Sequence, residues 1–259
     1  MPFWVYDLPD DLIIAMTVLL VGGSTALAIL LARTVFGIRL RPDQGKEVMD
    51  AYRSVASLTA LVLAFSLVQA MLNLRRVEAD VRGEATGLIS ASRALPQTGD
   101  ARAEELRGLL ATYGDRVLAE EWPMLTRRGR NPNLDALLVR MLRVARAAAA
   151  SGTPQAAAYL TFAREVDRLS DLREARITAA SLRLPRAFWR ATAMLLCLGI
   201  LLVSLVPWTI PHLASALVLS CVLGVLVGLV GIVDVPFRGE SGVTPAELRR
   251  ALDVLALER

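Results

Sequence analysis

Six polar residues in one stretch, Thr59, Ser66, Gln69, Asn73, Arg76 and Asp80, are separated by steps of seven, three and four. In a helix such steps return to one side. At about 100° per residue the six fall, together with Val62, inside a sector about 100° wide. Their chemistry is that of hydroxyls and neutral amides, followed by one cation and one anion. Such groups hydrogen-bond and hydrate, but they contain no nucleophile and no acid–base pair. Two uses fit. They can join neighbouring helices inside a membrane, at about 0.6–2 kcal/mol per contact, or they can line a water-filled path. Four helices of one chain enclose no useful channel, so a path requires a symmetric ring of copies with this helix at the axis. In that setting neutral amides would wet the path without strong charge selection. Arg76 would add a positive ring favouring anions unless Asp80 neutralises it, and Val62 would be a dewetting constriction.

The elements that must carry these residues follow from hydropathy. The 259-residue chain is 54% hydrophobic with a mean hydropathy of +0.48. Residues 12–32, 54–74 and 191–233 contain no charged side chain, and "PWTIPH" interrupts the last stretch. About 20 apolar residues cross about 30 Å of hydrocarbon, so the pattern predicts four transmembrane helices. The opening "MPFWVYDLPDD" has three acids and no base, unlike a signal peptide, so residues 12–32 are expected to be a retained helix. The second span keeps helical apolar spacing (Val77, Val81, Leu88) beyond its lipid boundary and meets no proline before Pro96. One helix from about Tyr52 to Leu95 is therefore expected, half in lipid and half in water.

Residues 75–187 then read as a helical insert between spans two and three. A helix over 100–122 is capped by Asp100 and ended by Trp122–Pro123. Others follow over 134–150 and 155–184, and the turn between the first two carries Arg127, Arg128 and Arg130. No segment alternates with period two, so the fold class is an all-α membrane protein without a sheet. Its parts are an N-terminal transmembrane hairpin (1–74), the insert (75–187), a second hairpin (188–233) and a tail (234–259) with one short helix. Thr244, Pro245 and Glu247 form a capping box for that helix. With four spans, both termini and the insert share one side. Seven bases flank the membrane there (Arg75, Arg76, Arg82, Arg183, Arg186, Arg190, Arg238), against five on the other (Arg33, Arg39, Arg41, Lys46, Arg53). The positive-inside rule makes the insert side cytoplasmic. Trp4, Trp189 and Trp208 lie near the interfaces as anchors. In the fourth span Gly224 and Gly228 form a small-xxx-small pair suited to close helix packing.

Catalytic constellations are scarce. His212 is the single histidine and has no ligand partner at metal spacing. Cys197 and Cys221 fall inside spans, as small apolar packers. Glu120 and Glu121 are adjacent and so point about 100° apart, which suits a solvated or capping pair rather than joint acid–base work. There is no phosphate-binding glycine loop and no nucleophile elbow. The sequence thus points to no enzyme, no cofactor and no metal. The 29 basic residues are interleaved with 25 acids along helices rather than clustered with aromatics, which argues against nucleic-acid binding and for headgroups of the lipid bilayer as their partners.

Three separated motifs carry a resemblance over nearly the whole chain. They are "LLATYGDRVLAEEWPML" (Glu121, Trp122, Pro123), "RLPRAFW" (Pro185, Trp189) and "DVPFRGESGVTP" (Asp234, Pro236, Phe237, Gly239). In this order, between four spans, they resemble the bacterial bestrophin-like integral membrane family. The resemblance implies a four-span subunit of the bacterial inner membrane with cytoplasmic termini and insert. Its remoter likeness to bestrophin channels implies a pentameric ring that conducts inorganic ions. The tail lacks an acidic calcium-binding cluster, and Phe65 is the sole aromatic of the second span. The motif residues themselves read as structural: proline stops, a glycine turn and packing aromatics. A non-conducting membrane scaffold or signalling subunit, whose insert docks a soluble partner, is the competing reading.

Overall fold

A computed structural model describes residues 8–35, 42–96, 100–126, 129–152 and 154–257. Trp4, Arg39, Arg41, Arg127 and Arg128 lie outside them. The described residues form helices without a strand: α1 (Asp10–Thr34), α2 (Pro42–Ala94), α3 (Ala101–Arg116), α4 (Trp122–Leu125), α5 (Pro132–Ala150), α6 (Ala156–Ala179), α7 (Arg186–Ser204), α8 (Ile210–Val233) and α9 (Ala246–Leu257). Four of them, α1, α2, α7 and α8, are long and apolar enough to cross a membrane. The chain is an all-α membrane protein.

α2 is the element that spans both settings. Its 53 residues extend about 80 Å, far more than the hydrocarbon needs. It begins at Pro42, ten residues before the expected start, because proline's missing N–H costs nothing in a first turn. Met49, Ala56, Leu63, Ala70, Val77, Glu84 and Ala91 recur every seven residues and are all buried. This is a coiled-coil-like seam running the length of the helix.

The chain divides into two compact units. The first holds residues 1–73 and 183–242. In it α1 packs along α8 and against α7, around a core that includes Val21, Tyr52, Leu63, Val203, Ala216 and Leu223. Lipid offers no hydrogen bonds, so polar groups inside gain by pairing internally, although the buried Thr192 hydroxyl has no partner among the described residues. The Tyr52 hydroxyl donates to the Ala216 carbonyl at 3.1 Å and bonds the Ser220 hydroxyl at 2.9 Å, which also accepts from Thr25 at 2.9 Å. Arg33 stacks 4.9 Å over the Trp208 ring.

The second unit holds residues 74–182 and 243–259. α5 pairs with α6, while α3 packs on α5 and on the tail helix α9, which therefore belongs with the insert. Asp100 caps α3 as the sequence requires, its carboxylate accepting the Arg102 N–H at 2.9 Å. Asn131 does the same for α5 through the N–H of Asn133. The expected helix over 100–122 is interrupted, however. α3 passes into a π-helical turn, Val117–Glu121, and continues through Trp122 and Pro123 as α4. Pro123 does not stop the chain because the wider turn relieves the clash of its ring with the carbonyl four residues back.

Candidate functional site

The polar sector of α2 divides in the structure. Thr59 is 1% exposed and Ser66 9%. Both hydroxyls donate to their own helix, to Val55 O at 2.7 Å and Val62 O at 2.8 Å. These two side chains face the core of their own unit, which corrects the reading of the sector as one surface. The seam that buries Leu63 and Ala70 lies only about 20–60° from them, close enough to draw them in. Gln69 and Arg76 are exposed, and Val62, Asn73 and Asp80 are half-buried at the seam's edge. The Gln69 amide donates to the Asn73 side-chain oxygen at 3.4 Å, one helical turn away. The outward edge of α2 is therefore a run of amide, amide, guanidinium and carboxylate. It is bordered by exposed Leu58, Leu61, Phe65, Val68 and Leu72.

A second polar centre lies in the other unit, and sequence reasoning missed it. Arg173 and Arg176 on α6, Glu84 on α2 and Glu121 at the end of the π turn are at most 1% exposed. Arg176 donates from Nε to Glu84 Oε2 at 2.6 Å, and from Nη2 to Glu121 Oε2 at 2.8 Å. Arg173 grips Glu121 with Nε at 3.0 Å and Nη2 at 2.6 Å, and donates from Nη1 to Asp135 at 2.6 Å. Tyr113 donates its hydroxyl to Glu84 at 3.0 Å, and the Asn131 N–H reaches Glu121 at 3.2 Å. The Trp122 ring lies 5.7 Å from the Arg176 guanidinium carbon. Glu121 is thus not a solvated acid. The π turn advances it to face α6, while Glu120 stays exposed and accepts from the Asn131 amide at 2.5 Å.

The electrostatics of this centre carry a pH dependence. Burial pushes the Glu121 carboxyl up, but hydrogen bonds from Arg173 and the charges of Arg176 and Arg173 outweigh it and hold it below the usual carboxylate range. Asp135 is also held down, chiefly by its hydrogen bond from Arg130 and further by Arg173. A carboxylate whose folded value is depressed stabilises fully above its unfolded value, and that stability is lost as pH falls. The purified chain should therefore keep its helical signal by circular dichroism from neutral pH to about 5 and lose thermal stability below about 4. Glu121→Gln, less stable at neutral pH, should show a smaller further loss in acid. A wild-type unfolding temperature that does not change down to pH 2 would contradict this account.

The motif residues of the other two stretches meet in the first unit. Asp234, just past α8, accepts the Leu184 N–H at 2.6 Å ahead of Pro185, and also the Trp189 side chain. This ties the start of α7 to the end of α8. Pro236 and Phe237 are buried, and Gly239 has φ of 78°, a left-handed turn that glycine adopts without strain. Comparison with known sequences now decides the family: the Bestrophin-like domain matches residues 17–248. The chain belongs to the bestrophin-like family. No curated protein matches it significantly. Among solved structures, a bacterial bestrophin homolog from Klebsiella pneumoniae is similar with a TM-score of 0.67 and 16% identity, covering 95% of this chain and 98% of that one. A crystal structure described as a membrane protein carrying G264A gives 0.70 at 13% identity with the same coverage. At such identity these likenesses speak for the bestrophin-like fold, which all four spans and the insert share.

Proposed function

We propose that this bestrophin-like chain assembles into a homo-oligomeric, channel-like protein of the bacterial inner membrane. The outward edge of α2 borders the ion pathway, and the insert and both termini are cytoplasmic. A ring of five is the analogy the family offers. The observation that carries this reading is an exposed Gln69 and a half-buried Asn73, one turn apart within an apolar span. Their one mutual hydrogen bond leaves most of their polar capacity unmet, and hydrocarbon cannot meet it. A wet axis would. Arg76 stands two turns beyond Gln69 and faces outward with it, so it supplies the positive ring at the inner end, tempered by Asp80. Thr59 and Ser66 drop out of the lining because they face their own bundle.

The test is reconstitution of the purified chain into planar bilayers, with reversal potentials measured under salt gradients. Wild type should conduct, Arg76→Glu should shift selectivity toward cations, and Asn73→Leu should lower conductance several-fold. Thr59→Val should leave both nearly unchanged. Absence of conductance in wild type, or indifference to both Asn73→Leu and Arg76→Glu, would refute the pathway.

A further inference from the structure

The outward face of α7 combines two features not used by the pathway. At about 100° per residue, Arg186, Arg190, Met194, Cys197 and Leu201 fall within a sector about 80° wide. All five are exposed, Met194 at 73% and Leu201 at 62%. The opposite side of the helix, with Thr192, Gly199 and Val203, is the buried one. Arg186 and Arg190 stand one turn apart with the same charge, an arrangement that is unfavourable by itself. Neither has an ion-pair or hydrogen-bond partner among the described residues. Some exposed arginines of the chain pair with acids, as in Arg53–Asp50, Arg130–Asp135 and Arg140–Glu105, while others, such as Arg76 and Arg168, form no such ion pair among the described residues.

The position of the two arginines is fixed. Asp234 holds the Leu184 N–H and the Trp189 side chain, so the first turn of α7 cannot swing away from the bundle. From Arg190 to Leu201 the helix rises about 16 Å, close to one leaflet of hydrocarbon. Two guanidinium groups therefore stand at a membrane edge, above an apolar stripe one acyl chain long.

We propose that this face is a binding site for an anionic phospholipid. Arg186 and Arg190 donate to the headgroup phosphate, and an acyl chain lies along Met194, Cys197 and Leu201. The charge complementarity selects the occupant: a zwitterionic headgroup brings its own cation to the same place, whereas an anionic one does not. Basic residues at a membrane surface favour anionic lipid enough that two of them support a roughly 30-fold preference.

Native mass spectrometry of the full chain in mild detergent tests this. Equal amounts of phosphatidylglycerol and phosphatidylethanolamine with matched acyl chains are added, and the retained lipids are counted. Wild type should retain phosphatidylglycerol preferentially, and the pair Arg186→Gln with Arg190→Gln should bring the ratio near one. Lysine at both positions should restore most of the preference, and the charge-matched pair Arg164→Gln with Arg168→Gln on α6 should leave it intact. The proposal is overturned if wild type shows no preference, if the glutamine pair keeps it, or if the lysine pair fails to restore it. A glutamine pair that lost its oligomeric state while keeping its lipid ratio would overturn it too, assigning the face to a neighbouring copy.

Discussion

Replacing Arg176 with methionine should destabilise the insert by about 3–5 kcal/mol. The side chain is fully buried and bonds Glu84 and Glu121 at once. Methionine fills much of the volume, so the cost is not a cavity. It comes from leaving the Glu84 carboxylate buried with only the Tyr113 hydroxyl to offset its charge. Glu121 suffers less, because Arg173 still holds it with two nitrogens. Hydrogen exchange on the detergent-solubilised full chain reads this directly. Amides of α6 that open only with the unit should exchange hundreds to thousands of times faster than in wild type. Adding Glu84→Gln to Arg176→Met removes the stranded charge and should recover more than half of the loss. Arg130→Met is the contrast. Its pairs with Asp135 and Glu174 are also short, but the side chains are 37–54% exposed, and such pairs are worth about 0–1 kcal/mol. Equal effects at Arg176 and Arg130 would refute the burial argument.

The same cluster shows where sequence reasoning reaches its limit. The four spans were legible because hydrocarbon imposes a length and a composition that few soluble helices share. The extension of α2 was legible because Val77, Val81 and Leu88 keep the spacing with no proline among them. The ion cluster was not, because an arginine is ordinarily assigned to solvent whatever its register. Yet the register was informative. On α6 the buried positions Tyr159, Phe162, Val166 and Leu169 continue at the same spacing into Arg173 and Arg176. On α2, Glu84 occupies the seven-residue seam between Val77 and Ala91. Opposite charges standing in the apolar register of two helices are a readable sign of a buried pair. The π turn has no such sign. Its effect shows in the partners Glu121 meets, Arg173 and Arg176 on α6 and the Asn131 N–H at the cap of α5. The polar sector of α2 failed in part for a related reason. A sector about 100° wide straddles the edge of a buried face, and the sequence alone does not say where that edge lies. Thr59 and Ser66 fell inside it and Gln69 outside.

The close packing of α1 on α8 leads to the second large effect. A Cβ placed on Gly224 would come 2.7 Å from the Val18 Cα and 3.0 Å from the Thr17 carbonyl oxygen. At Gly228 it would meet Thr17 Oγ1 at 2.6 Å and the Ile14 Cα at 3.1 Å. Much of what it meets is backbone, so relief requires α1 itself to move. In lipid no hydrophobic force draws helices together, and close backbone approach supplies much of what does. Each glycine replaced by leucine should therefore cost about 1–3 kcal/mol from overpacking alone. The double variant Gly224→Leu with Gly228→Leu should lose more than either, since moving α1 away also forfeits contacts around Val21 and Ile13. Gly23 provides the control, because nothing lies within 4 Å of a Cβ there. Gly23→Leu should fold as wild type. Cysteine crosslinking across the contact, between a cysteine placed at Gly22 on α1, whose Cβ would lie 3.1 Å from the Cys221 sulfur, and Cys221 on α8 in a chain lacking Cys197, reports the packing independently of yield. It should form readily with both glycines present, fall at least several-fold in the double leucine variant, and persist beside Gly23→Leu. Efficient crosslinking in the double variant would mean that the two helices accommodate leucine without separating, and that the small-residue contact does not set their distance.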